Sequence, residues 1–189
     1  MFIYVFRHGE STDNRKHIFS GWRNSPLSDK GKIDAKELAE LLKNKKIHLA
    51  FTPDLKRNVE TLKQILKYHP QTKIIVENCL RERCYGQLQG KRHLELMKEN
   101  LPLYLTYHRS YDVPPPGGES IFQVEKRVWP FCEELVRQLK EEKINVAICA
   151  GNNAMRVIRR FFENLTVEKM MKIENPFDNF FEYRVENKC

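Results

Sequence analysis

Phe2-Ile3-Tyr4-Val5-Phe6-Arg7-His8-Gly9-Glu10-Ser11 is the stretch whose reading decides the fold. Its first five residues are aromatic or β-branched and read as a buried strand. The strand stops on Arg7-His8-Gly9, which delivers a guanidinium and an imidazole to the carboxyl end of a sheet. In open α/β sheets, ligands bind in the crevice at that end. Gly9 permits a sharp turn or a close approach of backbone to ligand. His8 can act as a nucleophile or general base near neutral pH, and Arg7 can hold an anion through two parallel hydrogen bonds.

Outward from that stretch, strands alternate with helices. Ser11 to Trp22 reads as a polar loop anchored by Phe19 and Trp22. Ser28 is a helix N-cap, and the helix runs to about Leu42 with Ile33, Leu38, Leu41 and Leu42 on its buried side. Ile47–Phe51 is a second strand. Asp54 caps a helix to about Leu66, whose first turn carries Lys56 and Arg57, well placed for a phosphate. Lys73–Val76 is a third strand. Lys91–Arg109 is helical, with an interruption at Pro102. Pro114-Pro115-Pro116-Gly117-Gly118 is the strongest punctuation. Ile121–Glu142 is a long helix with a kink or break expected at Pro130. Ile144–Cys149 is a fourth strand, followed by a helix to about Asn164, a short helix capped by Thr166, and a final strand at Phe180–Val185. This order predicts right-handed βαβ units: an α/β three-layer sandwich whose central sheet is mostly parallel, with helices on both faces, in a single domain over residues 1–189.

Composition narrows the class. The 189 residues are 31% charged and 41% hydrophobic, ordinary for a soluble domain. No apolar run approaches the roughly 18 residues that span a membrane, and the first strand lacks the basic leader of a signal peptide. The five cysteines, at 79, 84, 132, 149 and 189, are odd in number and show no C-x-x-C spacing. That fits reduced thiols in the cytoplasm better than a disulfide framework or a zinc site, and Cys149 reads as a packed core residue. The net charge of +8 is spread over many segments with no nucleic-acid motif. It points to a small anionic substrate, with no nucleic acid or membrane as partner.

Several spaced blocks together resemble the histidine phosphatase superfamily, and more narrowly its cofactor-dependent phosphoglycerate mutase branch. They are Arg7-His8-Gly9-Glu10-Ser11, Asn14, Phe19-Ser20-Gly21-Trp22, Asp54-Leu55-Lys56-Arg57 with Thr61, and Glu82-Arg83-Cys84-Tyr85-Gly86 with Gly90. Arg109 to Pro116 also looks mutase-like. The resemblance implies a phosphoglycerate mutase-like fold and a phosphohistidine on His8, with Arg7 and Arg57 cradling the phosphoryl oxygens. Glu82 would be the acid–base group, with its pKa raised by burial or by an anion. Asn14, Ser20, Gly21, Arg83, Tyr85, Arg109 and Asn153 would hold the rest of a small phosphorylated substrate such as phosphoglycerate. The resemblance also implies 2,3-bisphosphoglycerate as phosphoryl donor, no metal and no other bound cofactor, a glycolytic cytoplasmic setting, and room for a homodimer.

The chain departs from this pattern after its fourth strand. The branch places a second histidine there, in His-Gly-Asn-x-x-Arg, whereas this chain reads Cys149-Ala150-Gly151-Asn152-Asn153-Ala154-Met155-Arg156. Anchored on Asn153 and Arg156, Gly151 stands at the histidine position and Asn152 at the glycine; a one-residue shift puts Ala150 there instead, neither supplies an imidazole, and no histidine follows His108. Losing such a donor costs on the order of 100-fold in rate. His93 stands where the branch has a lysine. The segment after the proline run is short and resembles the phosphatase branch, which must admit water. Three readings follow: a mutase-like phosphoryl-transfer enzyme, a phosphomonoesterase of the same fold, or an impaired relative that binds phosphorylated ligands. Recovery of turnover by Gly151→His would mark the third.

Overall fold

The computed structural model describes residues 1–186, except the side chain of Arg109. Five strands form one sheet in the order β3-β2-β4-β1-β5: β1 (Phe2–Arg7), β2 (Leu49–Thr52), β3 (Lys73–Val76), β4 (Val146–Ala150) and β5 (Phe180–Arg184). β1 pairs in parallel with β4, with Ile3 opposite Val146 and Arg7 opposite Ala150. β4 pairs in parallel with β2, and β2 with β3. β5 alone runs antiparallel, against β1.

Period-2 alternation along β1 divides its side chains between two cores. Ile3 and Val5 join the layer beneath α6 (Ile121–Glu142) and α7 (Asn152–Glu163). Tyr4 and Phe6 join the layer beneath α2 (Asp29–Leu42) and α3 (Lys56–Ile65). The sheet is therefore covered on both faces. β1 and β4 lie side by side, yet β1 leads to α2 on one face and β4 to α7 on the other. That divergence opens the crevice in which α/β sheets bind ligands.

The local structure corrects several expectations. Ser11 caps a short helix, α1 (Thr12–Arg15), through a bond from the Asn14 N–H, where a loop was expected. Ser28 does cap α2, accepting from the Gly31 N–H at 3.0 Å. The stripe that α2 buries is Gly31, Ala35, Leu38, Ala39 and Leu42 together with Asp34. Ile33 and Leu41 are exposed, because at 100° per residue Leu41 falls at the stripe's edge and Ile33 behind it. Gly31 has a packing reason: a Cβ there would lie 1.9 Å from the Glu10 carbonyl oxygen. Asp54 does not cap α3, whose N-cap is Leu55 without a side-chain bond; its carboxylate takes the guanidinium of Arg81 instead. Pro102 sits in the first turn of α5 (Leu101–Arg109), where its missing N–H costs nothing, and Asn100 separates α5 from α4 (His93–Glu99).

Pro130 does not break α6, which runs unbroken over 22 residues. Its stripe of Val124, Val128, Cys132, Leu135 and Leu139 is fully buried. That burial outweighs the cost of an interior proline, about 3 kcal/mol. Thr166 caps α8 (Val167–Lys172) as expected. Cys132 and Cys149 are buried thiols and Cys79 and Cys84 partly buried ones; Cys189 lies outside the described residues. Among the described residues no helix is long and apolar enough to cross a membrane.

Candidate active site

β1 ends by placing His8 in the crevice, fully buried. The Nε of Arg57 donates to His8 Nε2 at 3.0 Å. A guanidinium only donates, so Nε2 must carry the lone pair. The ring proton therefore sits on Nδ1, which lies 2.8 Å from the Gly9 carbonyl oxygen and donates to it. Burial, followed by the charges of Arg57 and Arg7, holds the imidazole well below its usual pKa. His8 is thus neutral at pH 7 with Nε2 unprotonated, the form a nucleophile needs, and its lone pair is freed for attack when Arg57 gives up this hydrogen bond.

The two arginines differ in how their donors are used. Arg57 also donates to the carbonyls of Arg23 at 2.9 Å and Gly21 at 2.8 Å, so two of its five N–H groups remain. Arg7 gives Nη1 to the Asn175 carbonyl at 3.1 Å and lies 3.9 Å above the ring of Phe177. Its buried Nε has no partner among the described residues, a donor suited to an anion. Burial lowers the pKa of Arg7 to about 10, leaving it protonated at neutral pH.

Glu82 departs from expectation. Its Oε1 accepts from the backbone N–H of Arg83 at 2.7 Å and of Asn153 at 3.1 Å, and from Asn153 Nδ2 at 2.8 Å. Its Oε2 accepts from the Asn152 N–H at 2.7 Å. Burial acts to raise its pKa, but the Arg83 N–H, Arg7, Arg57 and Asn153 outweigh it, and the carboxyl is held below its usual range. Glu82 is therefore an ionised group capping the N-terminus of α7, not a raised acid. Its segment is fixed from α6, because Arg127 donates to the carbonyls of Cys79, Arg81 and Glu82 while paired with Glu119.

Gly151, the N-cap of α7, sits against this segment. A Cβ there would lie 2.6 Å from Glu82 Cα and 2.7 Å from its nitrogen. Such contacts require backbone to move, so this packing has no room for a histidine at that position.

Asn14, Ser20, Gly21, Tyr85 and Asn153 line an inner cavity of about 130 Å³ with Arg7 and Glu82. Asn14 Oδ1 accepts from the Ser11 N–H and hydroxyl, and Ser20 donates to Asp13. Tyr85 is 3.4 Å from Asn153 Nδ2. Arg83 is not brought to the cavity. Its guanidinium donates to the carbonyls of Glu119 and Val113 and lies 5.2 Å from the centre of the Tyr85 ring. The side chain of Arg109 lies outside the described residues. Beyond the inner cavity is a larger one of about 670 Å³, walled by Ile18, His93, Leu94, Met97, Tyr104 and Phe177. His93 stacks on Phe19, with centroids 3.8 Å apart.

Three contributors were not singled out from sequence: Asn152, Asn175 and Phe177. Asn175 and Phe177 lie in an irregular segment with no periodicity to mark them. Asn152 had a signal, since it replaces the glycine of the resembled motif.

The model for the histidine phosphatase superfamily (branch 1) matches residues 3–186. A 2,3-bisphosphoglycerate-dependent phosphoglycerate mutase of Brucella melitensis is 36% identical over 179 residues, covering 91% of this chain and 86% of its own. The protein of that name from Cytophaga hutchinsonii is 33% identical, covering 91% and 82%. Among solved structures, YhfR of Bacillus stearothermophilus superposes with a TM-score of 0.87 at 22% identity, covering 98% of this chain and 91% of that one. A mycobacterial glucosyl-3-phosphoglycerate phosphatase gives 0.80 at 23%, covering 92% and 84%; at such identities the likeness speaks for the fold. The match from first strand to last, with the histidine, arginines and glutamate gathered in one crevice, shows that this chain belongs to branch 1 of the histidine phosphatase superfamily.

Proposed function

We propose that the chain transfers the phosphoryl group of a small phosphomonoester to His8 and then to water. The observation that carries this reading is the tautomer of His8: its proton is bound to the Gly9 carbonyl, and its Nε2 lone pair, which accepts from Arg57, is the one left to attack once Arg57 turns to a phosphoryl oxygen. In the first step Nε2 attacks phosphorus, the P–N bond forms and the P–O bond breaks. The leaving oxygen takes the proton that the monoanionic ester brings, relayed by Glu82, whose carboxylate rises in pKa beside a bound phosphoryl group. In the second step water attacks phosphorus, Glu82 accepts its proton, the P–N bond breaks and phosphate leaves. The ester and water become alcohol and phosphate, and His8 is restored. Arg7 and Arg57 supply positive charge to the equatorial oxygens.

Water is favoured as acceptor because the outer cavity is broad and its rim residues Leu94 and Met97 are exposed. Apart from Arg7, no lysine or arginine lines it among the described residues, and its other basic side chains are His17, His93 and His108, so a distal carboxylate meets no second permanent cation there. The phosphoglycerate mutase reading is kept second, because the relatives at 33–36% identity carry that name.

The test is acid-labile phosphorylation from 2,3-bisphosphoglycerate, followed by intact mass, then release of inorganic phosphate against formation of 2-phosphoglycerate from 3-phosphoglycerate. A labelled enzyme that loses its label in His8→Ala and yields phosphate supports the reading. Isomerisation outpacing release would favour the mutase. Ligand binding with no labelling would overturn both in favour of a silent relative.

A further inference from the structure

The loss of an imidazole at Gly151 leaves a question of charge. The phosphoryl group gains negative charge on its oxygens in the transition state, and donors facing that charge speed the reaction. A helix N-terminus could supply them, but the first N–H groups of α7 are spent on Glu82: Asn152 N–H on Oε2 and Asn153 N–H on Oε1. A replacement donor on this side must come from a side chain.

The hydrogen bonds around Asn152 determine which atom it offers. Arg159 only donates, and its Nη1 lies 3.2 Å from Asn175 Oδ1. Asn175 is buried, so its amide orientation is settled: oxygen toward Arg159, nitrogen away from it. Asn175 Nδ2 then donates to Asn152 Oδ1 at 2.9 Å and to the Asn152 carbonyl at 3.2 Å. Asn152 Oδ1 being the acceptor, Nδ2 is the other arm of its amide. Asn152 lines the inner cavity with Arg7, Asn14 and Glu82, and Nδ2 bonds to no other described residue. Asn175 also receives Arg7 through its own carbonyl. One buried residue thus positions both Arg7 and Asn152.

We propose that Asn152 Nδ2 is a phosphoryl-oxygen donor, doing from the neighbouring residue what an imidazole at position 151 is packed out of doing. This inference rests on the phosphoryl-transfer reading above for its rate consequences but not for its binding consequences.

The experiment uses the full chain and two probes, orthovanadate as a transition-state mimic and inorganic phosphate as a ground-state ligand. Asn152→Ala is expected to weaken orthovanadate binding and lower kcat on p-nitrophenyl phosphate by about 10- to 100-fold, with phosphate affinity changed less than about threefold. Asn175→Asp is expected to have a similar effect with Asn152 intact. An acceptor at that place turns the Asn152 amide and presents its oxygen to the phosphoryl group. In protein labelled with ¹⁵N-asparagine, one side-chain NH₂ pair, absent in Asn152→Ala, is expected to shift on saturation with orthovanadate.

The proposal is overturned if no such pair moves, if Asn152→Ala binds orthovanadate as wild type does, or if orthovanadate and phosphate affinities fall together. The NMR arm needs no turnover, and the variant serves there only to identify the pair. A wild-type chain that binds orthovanadate through this NH₂ but forms no phosphohistidine would sink the function proposed above and leave the donor standing. A chain that binds no orthovanadate would sink both.

Discussion

His8 is the residue on which the chemistry turns, and its protonation gives the first prediction. Burial and two cations hold its folded pKa well below 6.5, so the acid limb of phosphoenzyme formation should fall below about pH 6.5. Stability follows the same displacement. Between the folded value and about 6.5 the unfolded chain holds more protons, so stability should rise with pH across that window. Urea midpoints of wild type and His8→Gln should converge toward low pH, with the variant's profile flatter. Glu82 acts in the same sense at lower pH: its lowered pKa contributes stability above about pH 4.3, lost as pH falls through the folded value. At Gly151, the 2.6 Å approach to Glu82 Cα predicts that Gly151→His costs about 1–3 kcal/mol and does not raise turnover. A stable variant with higher kcat would show that the Glu82 segment yields.

The elements were legible in proportion to how far their side chains obey one period. β1, β3 and α8 stand where their patterns put them, and Ser28 caps as its type predicts. Ile33 and Leu41 misled because an apolar residue can sit off the buried stripe of a helix, while Asp34 occupies that stripe to bind the Glu10 N–H. Asp54 misled because a capping side chain can be drawn off by a cation, here Arg81. The site was legible where residue type carries chemistry, as at Arg7, His8, Arg57 and Glu82. It was illegible where a common residue acts through tertiary position, as at Asn175, or where a long side chain turns away, as at Arg83. The same logic makes α6 part of the catalytic apparatus at one remove. Arg127→Met should take a donor from the carbonyls of Cys79, Arg81 and Glu82 and leave the Glu119 carboxylate without its cation, costing about 3 kcal/mol. Glu82 should then be less well placed, so kcat should fall more than KM rises; an unchanged kcat would remove Arg127 from that role.

Over the whole molecule, the charge of +8 should draw in anionic substrates. Raising salt from about 0.05 to 0.5 M should lower kcat/KM severalfold for a phosphomonoester, and a neutral competitor should bind equally well throughout. Sheet order has a consequence in time. β1 carries the nucleophile, yet its neighbours are β4 and β5, with Ile3 opposite Val146 and Tyr183. Contacts so far apart in the chain fold slowly. At translation rates of about 5–20 residues per second, β1 waits roughly 7–30 s for its first partner. For that interval Phe2-Ile3-Tyr4-Val5-Phe6 is an unpaired apolar strand leaving the ribosome, a segment prone to aggregate or to need a chaperone. The nascent chain therefore has no working nucleophile until most of it has been made, and its most vulnerable segment is the one its chemistry depends on.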